Sequence, residues 1–502
     1  MHRITSHQPH PLFNTAATRR IEQAAAAALP PHTLMQRAGL AVAQLAQALA
    51  PHARTVWIAC GPGNNGGDGL EAAMHLQRSG RQVVVTWLGQ ADKAPADANA
   101  SWQRAQAAGV VWADAPPADL GPQDLCIDAL LGIGVCSSPQ APARVPDARQ
   151  LACQHALQHS PATVLAVDLP SGLDADTGQF AAGFGPLVAP YRPTHTLSLL
   201  TLKPGLFTAA GRDAAGQVWW DDLGVDVGHE PPSGWLSGPP LPTPRAHASH
   251  KGSYGDVAVV GGEGLAARGM GMAGAALLAA SAALHCGAGR VLVALLDNGQ
   301  QQHDPLQPEL MFRRFDALAL EQLTVVCGCG GGQAIATVLP EVITRAARLV
   351  LDADALNIIA TEAALHALVV ARGQHGQPTV LTPHPLEAAR LLGMTTAEVQ
   401  ANRLEAAQQL ADQFNCVAVL KGSGTVVVAP DRVPAINPTG NARLATAGTG
   451  DVLAGMVGAH LAAGASALRA ASEAVYQHGQ VADAWPTGCA LTASALARRV
   501  GG

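Results

Sequence analysis

The sequence predicts an α/β protein made of two three-layer α/β/α domains. Short apolar runs alternate with helical patterns in both halves of the chain, as in a doubly wound parallel sheet that helices cover on both faces. Glycine-rich segments follow several of these runs, at the edge where such sheets bind ligands. Proline and glycine crowd residues 228–247, which predicts a linker between two domains, residues 1–227 and 248–502.

The composition excludes several classes of protein. Of the 502 residues 48% are hydrophobic and 14% are charged, as in a globular chain and not in a disordered one. The net charge is −6 and no basic run occurs, so we expect no nucleic acid as a partner. The longest apolar stretch, residues 269–296, contains Ser281, His285 and Arg290. We therefore expect a buried helix followed by a strand there, and no membrane partner.

The nine cysteines predict free thiols. Their number is odd and none forms a C-x-x-C pair, which disfavours a zinc site. Cys327 and Cys329 lie one residue apart at the end of an apolar run, where buried thiols are expected. Free thiols suit a reducing compartment, and we expect the cytoplasm.

The first half contains the strand and loop signals of a nucleotide-binding sheet. Gly61, Gly63 and Gly66 fit the pattern G-x-G-x-x-G directly after the first predicted strand. A hydride-transferring enzyme would also carry an acidic residue at the end of the second strand, but Leu88-Gly89-Gln90 stands there. We therefore expect a nucleotide phosphate near this loop without redox chemistry. The predicted strands are Val56–Cys60, Val83–Trp87, Leu125–Asp128 and Val164–Val167.

Three oxygen-bearing side chains follow or end these strands. Asn65, Asp128 and Ser171 offer an amide oxygen, a carboxylate and a hydroxyl at three strand ends. Hard oxygen ligands that converge at one edge could hold a monovalent or small divalent cation. Alternatively, each side chain caps a helix or a turn.

Asn64–Gly69 and Val167–Gly172 together resemble the motifs of the NAD(P)HX epimerase family. The resemblance covers about residues 15–225 and implies a Rossmann-like epimerase fold. The family interconverts the R and S forms of NAD(P)HX, the hydrated and damaged form of NADH or NADPH. The resemblance implies K⁺ bound by Asn65, Asp128 and Ser171, and Asp168 as an acid/base in contact with substrate. The implied substrate loops comprise Asn64, Asn65, Gly66, Gly67, Asp68, Gly132, Ile133, Gly134, Val135, Cys136, Ser137 and Ser138.

The second half contains a segment suited to phosphoryl transfer. Gly448, Thr449 and Gly450 precede Asp451 where a long apolar helical pattern begins. The N–H groups at a helix start bind anions, and a carboxylate there can deprotonate a hydroxyl directed at the anion. The alternative is a glycine-rich turn with Asp451 as a helix cap. Strands are predicted at Asp256–Val260, Arg290–Leu295, Leu323–Cys327, Leu349–Asp352, Thr379–Leu381 and Val417–Leu420.

Other loops of this half offer phosphate and metal contacts. Lys421–Thr425 follows a buried strand and is either a phosphate contact or a hairpin turn; no Walker pattern is present. Asp352 and Asp354 could bind Mg²⁺ through water, or Asp354 could cap the next helix. His384, between two prolines, could contact substrate or satisfy the backbone of its loop.

These motifs, with His250–Gly252 and Pro308–Met311, resemble the ribokinase-like superfamily and more closely the ADP-dependent NAD(P)HX dehydratase family. The resemblance covers about residues 248–500 and implies a ribokinase-like fold. The family uses ADP to phosphorylate the hydroxyl of S-NAD(P)HX, and loss of phosphate regenerates NAD(P)H. Leu386 and Arg443 depart from the family pattern. The implied nucleotide contacts are Lys421, Gly422, Ser423, Gly424, Thr425 and Gly450, and the implied substrate contacts are Ala275, Gly330, His384 and Asp451.

The two resemblances together predict a bifunctional repair enzyme. We expect NADHX, NADPHX and ADP as ligands, Asp451 as the base of the dehydratase, Mg²⁺ with its nucleotide and K⁺ in the epimerase. We also expect a homo-oligomer. One alternative is a ribokinase-like kinase of a small metabolite such as a vitamin precursor, which leaves the first domain unexplained. Another is a catalytically inactive nucleotide-sensing module, which would be expected to lack Asp168 or Asp451.

Overall fold

The structure is a computed structural model that describes residues 1–137, 146–185, 194–241 and 247–501. The chain forms two compact units. The first unit comprises Met1–Thr5 and His10–Gly234, and the second comprises Ser6–Pro9 and Trp235–Gly502.

The first unit is built on a sheet with the strand order β1-β9-β8-β7-β6-β3-β4-β5. All neighbouring strands are parallel except β1 and β9. The chain proceeds outward from β3 to β5 and then returns to β6 on the other side of β3. This reversal creates a switch point, where open α/β sheets bind their ligands. The strands up to β9 are β1 (His2–Arg3), β2 (His10–Leu12), β3 (Val56–Cys60), β4 (Val83–Trp87), β5 (Val111–Trp112), β6 (Leu125–Ala129), β7 (Thr163–Val167), β8 (Thr194–Leu199) and β9 (Gln217–Asp221).

Helices cover both faces of this sheet. Along β3, Val56 and Ile58 belong to one hydrophobic core, and Trp57 and Ala59 belong to another. Alternate side chains of a strand point to opposite faces, so the unit has three layers. The helices are α1 (Thr15–Ala28), α2 (Thr33–Leu49), α3 (Asn64–Arg78), α4 (Ala96–Ala107), α5 (Ala148–His159) and α6 (Gly211–Ala214), with a 3₁₀ turn at Pro204–Leu206.

The second unit contains strands in the order β13-β12-β11-β14-β15-β16-β17-β18-β19-β10. Only the β17–β18 and β18–β19 pairs of this series are antiparallel. β11 lies between β12 and β14, so a second switch point forms at its carboxyl end. The strands are β10 (Gly234–Leu236), β11 (Asp256–Glu263), β12 (Arg290–Leu296), β13 (Met311–Phe312), β14 (Thr324–Cys327), β15 (Arg348–Leu351), β16 (Thr379–Leu381), β17 (Val417–Leu420), β18 (Val426–Val428) and β19 (Ala435–Ile436).

This sheet is also covered on both faces, since Val257 and Val259 of β11 enter one core while Ala258 and Val260 enter the other. The predicted class of two layered α/β units is therefore confirmed. The helices are α7 (Leu265–Arg268), α8 (Ala273–His285), α9 (Leu339–Arg345), α10 (Ala353–Ile359), α11 (Ala363–Gln374), α12 (Pro385–Leu392), α13 (Thr396–Ala401), α14 (Arg403–Phe414), α15 (Thr449–Ala462), α16 (Ala467–Asp483) and α17 (Ala493–Ala497). Short 3₁₀ turns occupy Lys251–Tyr254, Phe315–Ala317, Leu320–Gln322, Ala334–Thr337 and Ala442–Leu444.

The apolar stretch 269–296 forms α8 and β12, as predicted. In the described ranges no single helix is long and apolar enough to cross a membrane; α10 and α11 meet that criterion only as a pair joined across a bend of 109°. All nine cysteines are free thiols, and most of them are buried.

Candidate active sites

The switch point of the first unit opens into a cavity of about 480 Å³. Most of the substrate residues predicted for this unit line it, whereas Gly66 and Gly67 are not among the lining residues. Cys136 is exposed, and Ser138 lies outside the described residues. The predicted residues in the lining are Asn64, Asn65, Asp68, Gly132, Ile133, Gly134, Val135 and Asp168.

The glycine-rich segment after β3, interpreted from its sequence as a loop, is helical, which corrects that prediction. α3 begins at Asn64, so Asn65 to Asp68 occupy its first turn. Glycine is a poor helix former, but it permits close packing here. A Cβ atom on Gly66 would lie 2.0 Å from the carbonyl oxygen of Gly61. The helix can therefore start directly against the strand end, with its N–H groups directed at the cavity.

Asp168 is held rigidly where β7 ends. Its backbone is in the left-handed region, with φ 67°, a conformation that costs free energy and often marks functional sites. Its Oδ1 accepts a hydrogen bond from the backbone N–H of Leu199 at 3.1 Å and pairs with the ammonium of Lys203. Lys203 is only 1% exposed and also donates to the carbonyl oxygen of Leu199 at 2.6 Å. The carboxylate is thus fixed by a buried ion pair at the cavity wall.

Sequence reasoning missed several charged residues of this cavity. Arg19 and Glu22 of α1 line it, as does Lys203. Burial raises the pKa of Glu22, and the nearby Asp168 carboxylate raises it further. Burial raises the pKa of Asp68 well above its usual value, and the charges of Asp168 and Glu22 add to this effect. The sequence shows Glu22 only as an ionisable side chain in a predicted helix, which does not indicate a cavity residue. Lys203 lies outside all of the predicted motifs.

The three predicted cation ligands lie around one strand end. Asp128 accepts hydrogen bonds from the hydroxyl and the backbone N–H of Ser171 at 2.5 and 2.9 Å. The loop after Asp128 connects Ser171 with Asn65. The backbone N–H of Leu131 donates to Ser171 Oγ at 2.9 Å, and Gly132 lies against the Asn65 side chain. The helix or turn capping weighed as an alternative is thus realised in part, since Asp128 also accepts from the N–H of Leu130 at 3.2 Å.

The donor set fits a monovalent cation. The buried Nδ2 of Asn65 has no hydrogen-bond partner among the described residues, and an amide can be turned to present its oxygen instead. Burial raises the pKa of Asp128, so a cation beside it would offset the cost of its buried charge. Asn65, Asp128 and Ser171 supply a single negative charge, which suits K⁺ better than the tight octahedral demands of Mg²⁺.

Neighbouring loops are tied together beside this site. Ser137 donates from its backbone N–H and its hydroxyl to Asp174 Oδ2, at 2.7 and 2.9 Å. The loop after β6 is thereby attached to the loop after β7, which carries Asp168 and Ser171. Ser137 therefore supports the position of the loop that follows β6.

In the second unit, Asp451 lies in the first turn of α15. One ligand atom each of Cys329, Asp352 and Asp451 lies within 4.8 Å of the others. Burial raises the pKa of Asp451 to about 7, and the neighbouring Asp352 contributes. Capping by Asp451 is wrong, since Gly448 is the N-cap residue and makes no side-chain cap bond. A carboxyl with a pKa near neutrality at a helix start is suited to proton transfer.

The two small residues predicted to contact substrate are brought together by the fold. Gly330 has φ 59°, and a Cβ atom there would lie 2.9 Å from the Cβ of Ala275 and 2.5 Å from the carbonyl oxygen of Met272. The carboxyl end of β14 and the start of α8 therefore meet closely only because position 330 is glycine.

Lys421–Thr425 forms a tight turn after β17. Lys421 Nζ lies 2.8 Å from Asp352 Oδ1, and a Cβ atom on Gly450 would lie 3.3 Å from the same nitrogen. The lysine is thus directed at the start of α15, where an anion would be bound. Gly422 has φ 136°, and its Cα faces the guanidinium of Arg403.

Arg403 was not predicted, and it supports this turn. It is 1% exposed and donates to the carbonyl oxygens of Leu420 and Lys421 at 3.2 Å each. Burial lowers its pKa to about 10. A lone arginine in an amphipathic helix gives no sequence signal of such a role.

His384 caps α12. The ring Nδ1 of His384 accepts hydrogen bonds from the backbone N–H groups of Leu386 and Glu387 at 3.2 Å each. The backbone N–H of His384 donates to Glu387 Oε2 at 2.8 Å. The ring satisfies the backbone of its loop and, with 47% of its side chain exposed, remains open to a ligand. Leu386 faces solvent at 45% exposure, so this departure from the family pattern leaves the cap intact.

The acidic residues proposed for Mg²⁺ do not form a cage for it. Asp352 is ion-paired with Lys421 and is itself the N-cap residue of α10, so the alternative that Asp354 caps this helix is wrong. Asp354 Oδ2 accepts from the N–H of Gly332 at 2.8 Å, and its other oxygen is open to a hydrated ion. Mg²⁺ commonly binds through one such carboxylate plus substrate phosphates.

Comparison with known proteins matches each half separately. A family profile described as "YjeF-related protein N-terminus" matches residues 31–205, and one described as "NAD(P)H-hydrate dehydratase" matches residues 259–499. The ADP-dependent (S)-NAD(P)H-hydrate dehydratase of Neisseria meningitidis is 42% identical over 51% of this chain and 86% of its own length. A solved structure of the ADP/ATP-dependent NAD(P)H-hydrate dehydratase from Bacillus subtilis, co-crystallised with ATP/Mg²⁺, is 31% identical, covers 52% of this chain and 93% of its own, and has a TM-score of 0.41.

Several relatives span both halves. The bifunctional NAD(P)H-hydrate repair enzyme of Escherichia coli is 36% identical over 95% of this chain and 90% of its own length. The chain therefore belongs to the family of bifunctional NAD(P)H-hydrate repair enzymes.

Proposed function

We propose that the protein repairs hydrated NADH and NADPH in two steps. The first unit interconverts R- and S-NAD(P)HX, and the second dehydrates S-NAD(P)HX with ADP, giving AMP and phosphate. The observation that carries this proposal is the start of α15, where Asp451 has a pKa of about 7 and Lys421 lies beside Gly450. A base for a hydroxyl thus lies next to a site for a phosphoryl group.

The dehydratase has to replace hydroxide, which is a poor leaving group. Asp451 takes the proton of the substrate hydroxyl as the hydroxyl oxygen attacks the β-phosphate of ADP. The N–H groups of Gly448 to Gly450 and the ammonium of Lys421 stabilise the charge on the transferring group. Ser423 to Thr425 complete the nucleotide turn, and Ala275, Gly330 and His384 border the substrate. Asp354 would hold Mg²⁺ together with the bound nucleotide, and the ion would screen the phosphate charge there.

In the epimerase, K⁺ held by Asn65, Asp128 and Ser171 would tie the start of α3 to the loops after β6 and β7. Asp168 contacts the substrate ring from one of these loops. The ion pair of Asp168 with Lys203 favours a role as a fixed anion over the acid/base role predicted from the sequence. The free state of all nine cysteines supports a reducing compartment such as the cytoplasm.

Incubation of the protein with mixed-epimer NADHX and ADP tests the proposal. We expect NADH absorbance and free phosphate to rise together until both epimers are consumed. A stable phosphate ester without NADH would instead identify a small-metabolite kinase, which shares the α15 start. Absence of turnover would favour a nucleotide-sensing module.

The second unit is expected to dehydrate S-NADHX alone, but only if it retains β10. This strand lies within the predicted linker and pairs with β19 through Trp235 and Leu236. A fragment 233–502 should keep this pairing, whereas a fragment 248–502 leaves the backbone of β19 as an open edge. Thermal unfolding and S-NADHX turnover of both fragments check this.

The longer fragment should be the more stable of the two and should leave R-NADHX unused beyond its spontaneous epimerisation. Equal consumption of both epimers by fragment 233–502 would contradict the assignment of epimerisation to the first unit. Equal stability of the two fragments would show that β10 is dispensable.

A further inference from the structure

The carboxyl groups of the first-unit cavity differ in how they are held. Asp168 is engaged by the Leu199 N–H and by the buried ammonium of Lys203. These two donors engage Oδ1 and fix the carboxylate in one position at the cavity wall. A carboxyl without such donors is better placed to give a proton to the substrate.

Glu22 and Asp68 line the same cavity from two different helices, α1 and α3. Within the described part of the chain, neither carboxyl accepts a hydrogen bond. Each is partly buried, and the charge of Glu22 is among the causes that raise the pKa of Asp68. When two such carboxyls line one partly dehydrated cavity, the singly protonated state is favoured, because ionising both places two like charges there.

We propose that Glu22 and Asp68 act as a catalytic pair that shares one proton and moves it during epimerisation, while Lys203 keeps Asp168 as a fixed anion beside the ring. The proposal rests on the epimerase function proposed above. It names two proton-transfer residues for that reaction and makes Lys203 a positioning residue.

The chemistry balances with one proton on the pair. The protonated carboxyl donates its proton to the substrate hydroxyl, the C–O bond breaks with both electrons on oxygen, and water departs. The lone pair of the ring nitrogen fills the vacancy and gives a C=N⁺ iminium, which the Asp168 carboxylate stabilises. Water then adds to the opposite face as the other carboxylate accepts its proton. The roles exchange in the reverse direction, which suits an enzyme that interconverts two epimers.

Other charged groups surround the pair and set the background for its titration. The carboxylates of Asp168 and Asp97 raise the pKa of both carboxyls. Lys203 and Arg19 lower the pKa of Glu22, and Glu71 raises the pKa of Asp68. Two of the carboxylates have their own partners, since Glu71 is ion-paired with Arg104 and Asp97 is hydrogen-bonded to His32. Asp97 thus offers a matched control, a carboxyl that lines the cavity but has a hydrogen-bond partner on its Oδ1.

The test measures conversion of purified R-NADHX to the S form by the full chain without ADP, with the epimers separated by chromatography. The wild type should show a bell-shaped pH profile, because one carboxyl must be protonated and the other ionised. Glu22→Gln and Asp68→Asn should each lower kcat on the order of 10²–10⁴-fold and remove one limb of the bell. Glu22→Asp should restore both limbs at a reduced rate, and Asp97→Asn should keep both.

Solvent oxygen provides a second readout. In ¹⁸O-water, each enzymatic epimerisation should place one label in the product hydroxyl, corrected for the enzyme-free reaction. Unchanged pH limbs in both Glu22→Gln and Asp68→Asn, or retention of the original oxygen, would overturn the proposal. A wild type that fails to epimerise R-NADHX would instead remove the proposed function. The melting temperature of each variant separates loss of the proton from loss of the fold.

Discussion

Replacement of Asp451 by Asn is expected to lower the rate of S-NADHX dehydration on the order of 10²–10⁴-fold while ADP still binds. Asn preserves the size of the side chain but cannot accept the hydroxyl proton. Neither neighbour within 4.8 Å is suited to replace it, because burial raises the pKa of the Cys329 thiol well above its usual value and Asp352 is ion-paired with Lys421. NADH formation at saturating ADP, together with calorimetric titration of ADP, measures both effects.

The pH dependence of dehydration follows from the same carboxyl. Burial and Asp352 raise the pKa of Asp451 to about 7, and a base acts in its ionised form. The kcat should therefore rise about tenfold per pH unit below pH 7 and level off above it. The residual rate of Asp451→Asn should lack this step.

Stability should change in the opposite sense to activity. The folded pKa of Asp451 lies above its ordinary value of 3.8, so the fold loses stability as the pH rises from about 4 to 7, because in that range the unfolded chain ionises this carboxyl while the folded protein keeps it protonated. At pH 8 Asp451→Asn should melt no lower than the wild type. Glu341→Gln serves as the control, because it removes an exposed first-turn carboxyl of α9 outside the site. Near wild-type turnover by Asp451→Asn would show that Asp451 is not the base.

The strands were the most predictable part of the fold. Val56–Cys60, Val83–Trp87, Thr379–Leu381 and Val417–Leu420 lie at their predicted bounds, because a parallel strand buried on both faces is a continuous apolar run. The start of α3 could not be predicted from propensity. Glycine disfavours a helix at positions 66 and 67, but contact with the backbone of Gly61 overrides that preference.

The sites were predictable only where a motif carries them. Asp168 and Asp451 lie in glycine-containing segments whose spacing indicates strand ends and helix starts. Glu22, Lys203 and Arg403 gain their roles from partners distant in sequence: Lys203 meets Asp168 across 35 positions, and Arg403 meets Lys421 across 18. Nothing local distinguishes them from solvated charges, because burial of a charge depends on what the fold places around it.

The second large effect is expected at the cation site of the first unit. Asp128→Ala should abolish epimerisation and leave dehydration of S-NADHX intact. The carboxylate accepts from Ser171, and the buried amide nitrogen of the second predicted ligand, Asn65, lacks a partner in the described ranges. Loss of its charge would remove the one formal anion of the K⁺ site and release the loop that positions Asp168.

The matched measurement compares K⁺ with tetramethylammonium at fixed ionic strength, because screening alone changes the binding of a charged dinucleotide. Wild-type epimerisation should rise with K⁺, and Asp128→Asn, which keeps the shape but not the charge, should lose this response. Asp124→Asn is the control, since Asp124 precedes β6 as a buried carboxyl paired with Arg54, and its loss should leave the K⁺ response unchanged. If wild-type epimerisation ignores K⁺ and Asp128→Asn only lowers the melting temperature, Asp128 and Ser171 cap a turn and hold no ion.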